Sequence, residues 1–157
     1  GTSNNYGFKI SGVNNITLEN IKVENSKKTG VDLNGVNGGI LNNVEITGTI
    51  SGFGINMVDS KNITLTDITT SGNAWGGVSV QTEGYYYSGG ADNIVFSGSF
   101  NAGESAPLFL EEDPCRASGG GGGCTVGIYS PITNVTSAKR PRERSCYISL
   151  ENVGSGI

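Results

Sequence analysis

Glu111, Glu112 and Asp113 are consecutive, with Arg116 just beyond them, and they are the only candidates in the chain for an oxygen-ligand set beside a cationic base. A Ca²⁺ ion takes roughly six to eight oxygens converging from several directions. Three neighbours at a strand end do not all converge, so the run reads as solvated loop acids. Ca²⁺ is the one cofactor left open, and no catalytic residue is assigned. Trp75, Tyr85, Tyr86 and Tyr87 form a second group. Three tyrosines in a row between glycines cannot all point inward, and exposed aromatic faces stack on flat ligands. They make a platform for a glycan or another partner, or else a loop that folds back and packs its own rings.

Cys115 and Cys124 flank a loop that ends in five glycines and would close it as a local disulfide. Cys146 is left over, either buried as a small apolar residue or paired between chains. The spacing is not that of a zinc site, and the chain has no His to complete one. The cysteines favour an oxidising setting, hence a secreted or cell-surface location. No signal peptide is visible, and the chain reads as processed or excised. With a net charge of −4 there is little electrostatic support for a nucleic-acid partner. The one basic cluster, Lys139, Arg140, Arg142 and Arg144, reads as a solvated loop. No apolar run is long enough for a membrane span, so no membrane insertion is expected.

The elements that must position these groups follow from a repeat. Gly7-Phe8-Lys9-Ile10, Gly30-Val31-Asp32-Leu33, Gly54-Ile55-Asn56-Met57 and Gly77-Val78-Ser79-Val80 recur at steps of 23, 24 and 23 residues. Units of this length bury their apolar faces by stacking on their neighbours. Within the first unit the pairs Phe8/Ile10, Ile16/Leu18 and Ile21/Val23 are each spaced by two, which predicts three short strands with one face inward. Gly12, Asn14, Asn15 and Asn20 lie between them and tolerate turns. Leu18, Leu41 and Leu65 make one inward column and Ile21, Val44 and Ile68 another, while Asn20, Asn43 and Asp67 make a polar column. No apolar residues recur at helical spacing. The reading is a single all-β domain over 1–157, with about six coils and longer insertions after Val80. The later counterparts of the opening phrase are Pro107–Leu110 and Tyr147–Leu150, the last of which also aligns in a second register, Ile148–Val153 against Ile16–Ile21.

The Asn-Ile-Thr-Leu phrases at 15–18 and 62–65, with Asn43-Val44-Glu45-Ile46, Asn93-Ile94-Val95-Phe96 and the Gly-led strands, resemble the right-handed parallel β-helix of the pectate-lyase-like superfamily. The resemblance is good over roughly residues 6–100 and looser beyond, and it implies the fold more strongly than the activity. Glycoside hydrolases of that superfamily use clustered Asp residues with a Gly-His-Gly segment, a pattern that a chain without His does not meet. Hydrolysis also needs two facing carboxylates. The outward column Lys9, Asp32, Asn56, Ser79, Phe109, Ser149 holds a single acid. A lyase site would have to draw on Glu111, Glu112, Asp113 and Arg116.

The expected function is therefore a non-catalytic extracellular structural or adhesive module, with a polysaccharide lyase or related carbohydrate-active enzyme as the alternative. Asn15, Asn62 and Asn134 match the N-glycosylation pattern, although the repeat itself generates the first two. An ice-ordering Thr face on Thr17, Thr64, Thr66, Thr69 and Thr70 is interrupted where Thr69 aligns with Glu45 and Lys22. No cap is legible at either end, which suggests a segment of a longer solenoid or identical units stacked end to end. A polysaccharide is the other partner considered.

Overall fold

Among the described residues ten parallel strands build two sheets that share one core. The computed structural model describes residues 5–82, 91–112 and 133–137. Odd-numbered strands form the first sheet, in the order β1 (Phe8–Ser11), β3 (Val31–Asn34), β5 (Phe53–Val58), β7 (Gly76–Thr82) and β9 (Leu108–Glu112). Even-numbered strands form the second: β2 (Asn14–Glu24), β4 (Asn37–Thr47), β6 (Lys61–Ser71), β8 (Asp92–Ala102) and β10 (Thr133–Ser137). The chain thus alternates between sheets and climbs one level per turn, which is a parallel β-solenoid. There is no helix among the described residues.

The inward columns follow the repeat. Val31, Ile55, Val78 and Leu108 stack in register, as do Leu33, Met57, Val80 and Leu110, and each is at most 1% exposed. On the second sheet Leu18, Leu41, Leu65 and Phe96 form one column, and Ile21, Val44 and Ile68 another. Branched aliphatics fill the interior of such a tube densely, with little polar surface to satisfy.

Two expectations are corrected. The three short strands per turn are two, because the second and third form one 11-residue strand that bends in its middle. The bend is a residue in the left-handed region: Asn20 (φ 54°), Asn43 (53°) and Asp67 (53°). Such a residue turns the chain while inter-strand pairing continues on both sides, so a corner costs no break in the ladder. Six coils are also too many for the described residues. Three regular turns carry Phe8 to Val31, Ile55 and Val78, a longer one reaches Leu108, and the first sheet has five strands. The phrase at 147–150 lies outside the described residues.

Left-handed residues mark the other corners too: Gly12, Gly35 and Asp59; Asn15, Gly38, Asn62 and Asn93; Asn25, Gly48 and Gly72. Asn, Asp and Gly are the residues that enter this region at least cost. At the fourth level one extra residue enters between Ser97 and Phe100, and Gly98 (φ 65°) takes the corner. The resulting bulge is held by Asp67 Oδ1, which accepts from Ser99 N at 2.9 Å and from its Oγ at 3.1 Å.

The glycines that lead the repeated phrase have a different cause. A Cβ on Gly54 would stand 2.8 Å from the carbonyl oxygen of Gly77, and one on Gly77 would stand 2.6 Å from that of Pro107. The next coil's backbone passes too close for any side chain. Gly54→Ala is therefore expected to destabilise the fold by about 1–3 kcal/mol through overpacking, read as a lowered urea midpoint. An unchanged midpoint would show that the coils have room to separate.

Candidate functional site

The outer face of the first sheet carries a connected set of buried polar groups. Lys9, Asp32, Asn56, Ser79 and Phe109 stand in register there. Alternation along the strands sets Asn34 beside Asp32 and Gln81 beside Ser79 on the same face. Asp32 is 6% exposed, Asn34 3%, Ser79 0% and Gln81 8%. A carboxylate so placed needs donors, and it has them. Asp32 Oδ2 accepts from Asn34 Nδ2 and Oδ1 from Asn56 Nδ2, both at 2.9 Å. Lys9 Nζ stands 4.0 Å from Oδ2, the outer limit of an ion pair. Gln81 Nε2 donates to Asn56 Oδ1 at 3.0 Å and to Ser79 Oγ at 2.8 Å.

This network spans four strands, and Asp32 is its acceptor terminus. Both carboxylate oxygens are engaged by amides, so the group holds neighbouring coils together and has no oxygen directed at a second carboxylate. Among the described residues of the column it is the sole acid. Asn34 and Gln81 were not among the residues singled out by sequence. Their signal was the spacing of two from Asp32 and from Ser79.

The sequence-derived candidates are dispersed. Trp75 lies at the corner before β7 and is 61% exposed. Its ring meets Phe53 edge-on, with centroids 5.8 Å apart and planes at 85°. Phe53 is 7% exposed and lies 5.4 Å from the ring of Phe109. A buried phenyl group thus props an exposed indole, an anchor that sequence spacing alone did not reveal. Glu111 and Glu112 are on β9, in register with Gln81 and Thr82. Tyr85, Tyr86, Tyr87, Asp113, Cys115, Cys124 and Cys146 lie outside the described residues. No three His, Cys, Asp or Glu residues gather into a metal-holding group among the described residues. No helix there is long and apolar enough to cross a membrane.

Asn62, a glycosylation candidate, belongs to an asparagine ladder. Its Nδ2 donates to Asn37 Oδ1 at 2.8 Å, and its Oδ1 accepts from Asn93 Nδ2 at 2.9 Å. Asn15 occupies the equivalent corner with its side chain against Gly38, and Asn134 is on β10. On the second sheet's outer face Thr17, Ile40 and Thr64 are in register, as are Lys22, Glu45 and Thr69. Glu24, by a 2.8 Å contact and its charge, and Glu45, at 3.6 Å, hold the Lys22 ammonium above its ordinary pKa. Lys22 and Glu45 thus set charges in the column that leads to Thr69.

A family model described as a right handed beta helix region matches residues 2–116. Neither the curated proteins nor the solved structures contain a match. The polar network carries its own test. Asp32→Ala leaves the buried amide of Asn34 and the half-buried amide of Asn56 without their acceptor and is expected to cost about 1–3 kcal/mol, measured by equilibrium denaturation. No loss of stability would mean that Asp32 is not the hub of this face.

Proposed function

The chain belongs to the right-handed β-helix family, and on that premise we propose that it is a non-catalytic structural and adhesive module of a cell surface or secreted assembly. One observation carries the reading. The single acid in the described outward column, Asp32, has both oxygens occupied by the amides of Asn34 and Asn56. Glycosidic hydrolysis requires two carboxylates facing one bond, one of them free to donate a proton. Asp32 instead behaves as a fixed acceptor that ties the coils together.

The adhesive part of the reading rests on Trp75. Its exposed ring, propped by Phe53, which in turn packs on Phe109, is a flat surface that loses little conformational freedom on contact. A polysaccharide is the partner such a ring suits, since the apolar face of a sugar stacks on it. The extracellular setting is supported by Cys115 and Cys124, which flank the glycine run in the sequence.

Two measurements test this. Incubation with pectin or alginate, with and without Ca²⁺, is expected to release no unsaturated uronides. Turnover that disappears on Glu111→Ala or Arg116→Ala would establish a lyase and overturn the non-catalytic reading. Trp75 is the only tryptophan, so its emission reports on that surface alone. Titration with acidic oligosaccharides is expected to shift or quench it, and an unresponsive spectrum would remove Trp75 as the contact.

A further inference from the structure

The two most exposed large apolar side chains among the described residues are Ile50, at 66%, and Trp75, at 61%. Both stand at the corner that returns the chain from the second sheet to the first, on successive coils. Backbone bonds hold this corner in register. Ile50 N donates to Ser26 O at 2.9 Å and Ala74 N to Thr49 O at 3.1 Å, so Lys27, Ile50 and Ala74 form one column. Lys28 and Trp75 come next in the chain and make equivalent bonds: Lys28 N donates to Asn5 O at 3.1 Å and Trp75 N to Gly52 O at 3.0 Å. The corner thus carries lysines on one coil, isoleucine on the next and indole on the third. With coils about 4.8 Å apart, the lysine backbone lies about 10 Å from that of Trp75 along the axis.

Lys27 and Lys28 are exposed, and among the described residues no carboxylate forms an ion pair with either, the pairs there being made by Lys9 and Lys22. The Lys28 ammonium lies 5.4 Å from the centre of the Tyr6 ring, and Ser26 Oγ donates to Lys28 O at 2.7 Å. Thr49 Oγ1 fixes the next coil in the same way, donating to Gly52 O at 2.9 Å. On the coil beyond Trp75, Glu104 has both oxygens engaged by Thr70 Oγ1 and Asn73 Nδ2. A chain of net charge −4 therefore has a local positive patch at this corner, continuous with an exposed apolar strip.

We propose that this corner binds a uronic-acid polysaccharide laid along the solenoid axis, with Ile50 and Trp75 under the apolar faces of its sugars and Lys27 and Lys28 on its carboxylates. The inference rests on the reading of Trp75 as a glycan contact, and it names the class of glycan and the residues that select it. Charge complementarity identifies the occupant. A neutral glycan leaves both ammoniums unanswered, whereas a uronic-acid chain brings a carboxylate on every sugar. The lysines and the indole are two coils apart, so charge selection belongs to oligomers rather than to a single sugar. An anionic bilayer shares the charge, but it takes up a broad apolar face. Two side chains in line along one edge suit a chain.

The test titrates Trp75 emission of the whole chain with oligoguluronate and with neutral cello-oligosaccharides of equal length. Oligoguluronate is expected to bind on the order of tenfold tighter, and the difference to disappear in about 1 M NaCl, where charges are screened within about 3 Å. The double substitution Lys27→Gln, Lys28→Gln is expected to abolish the preference while leaving neutral binding and the thermal transition in place. If loss of the Lys28 contact with Tyr6 lowers that transition, Lys27→Gln, whose ammonium has no described partner, decides alone by reducing the preference. Ile50→Ser is expected to weaken both ligands alike. Equal affinity for acidic and neutral chains, indifference to salt, or a preference that survives the lysine substitutions would overturn the charge selection and leave Trp75 a glycan contact. Emission that answers to phosphatidylserine vesicles and not to oligoguluronate would assign the strip to a membrane surface instead. A spectrum unresponsive to every glycan would sink the reading of Trp75 itself, so the two failures are distinct.

Discussion

Parallel strands in a sheet lie about 4.8 Å apart, and a chain that climbs one strand spacing per turn must place every residue directly over its counterpart. That spacing is the constraint from which the rest of the structure follows. Like stacks on like: Leu on Leu, Val on Ile, Asn on Asn. It excludes a side chain where one coil's carbonyl crosses the next coil's backbone, hence the glycines at 54 and 77. It also allows only corners that a single residue can turn, hence Asn, Asp or Gly at positive φ at each of them.

Stacking of identical polar groups would be costly if they competed for one kind of partner. A carboxamide avoids this because it carries both a donor and an acceptor. Asn ladders therefore propagate along the axis, while a carboxylate can only terminate one. Asp32 is such a terminus on the first sheet. Glu104 is another, accepting from Thr70 Oγ1 at 2.8 Å and Asn73 Nδ2 at 2.6 Å. Acids in this fold act as stops for hydrogen-bond chains, and that role removes Asp32 from the chemistry a carboxylate would otherwise offer.

Where the repeat is strict, the sequence was easily read. The columns through Leu41 and through Val44, the corner at Asn20 and the break in the threonine face at Glu45 all follow from counting, since period and register are the same quantity in a solenoid. The polar network was half legible. Lys9, Asp32, Asn56 and Ser79 read as one outward column, whereas Asn34 and Gln81 had only their spacing of two from Asp32 and Ser79 to mark them. An outward polar residue reads as solvated unless something reports its burial.

Sequence by itself thus determined the architecture, because a fixed repeat length leaves a stacked chain only one registration of its apolar positions. Tertiary structure decided what depends on distances between side chains of different coils. It joined the second and third strands through a left-handed bend, because pairing survives a one-residue corner. It also showed that Phe53 props Trp75 across a corner, and that Asp32 is enclosed and engaged by amides. Neither fact is contained in residue spacing, since contact across coils depends on which rotamers the neighbouring columns leave free.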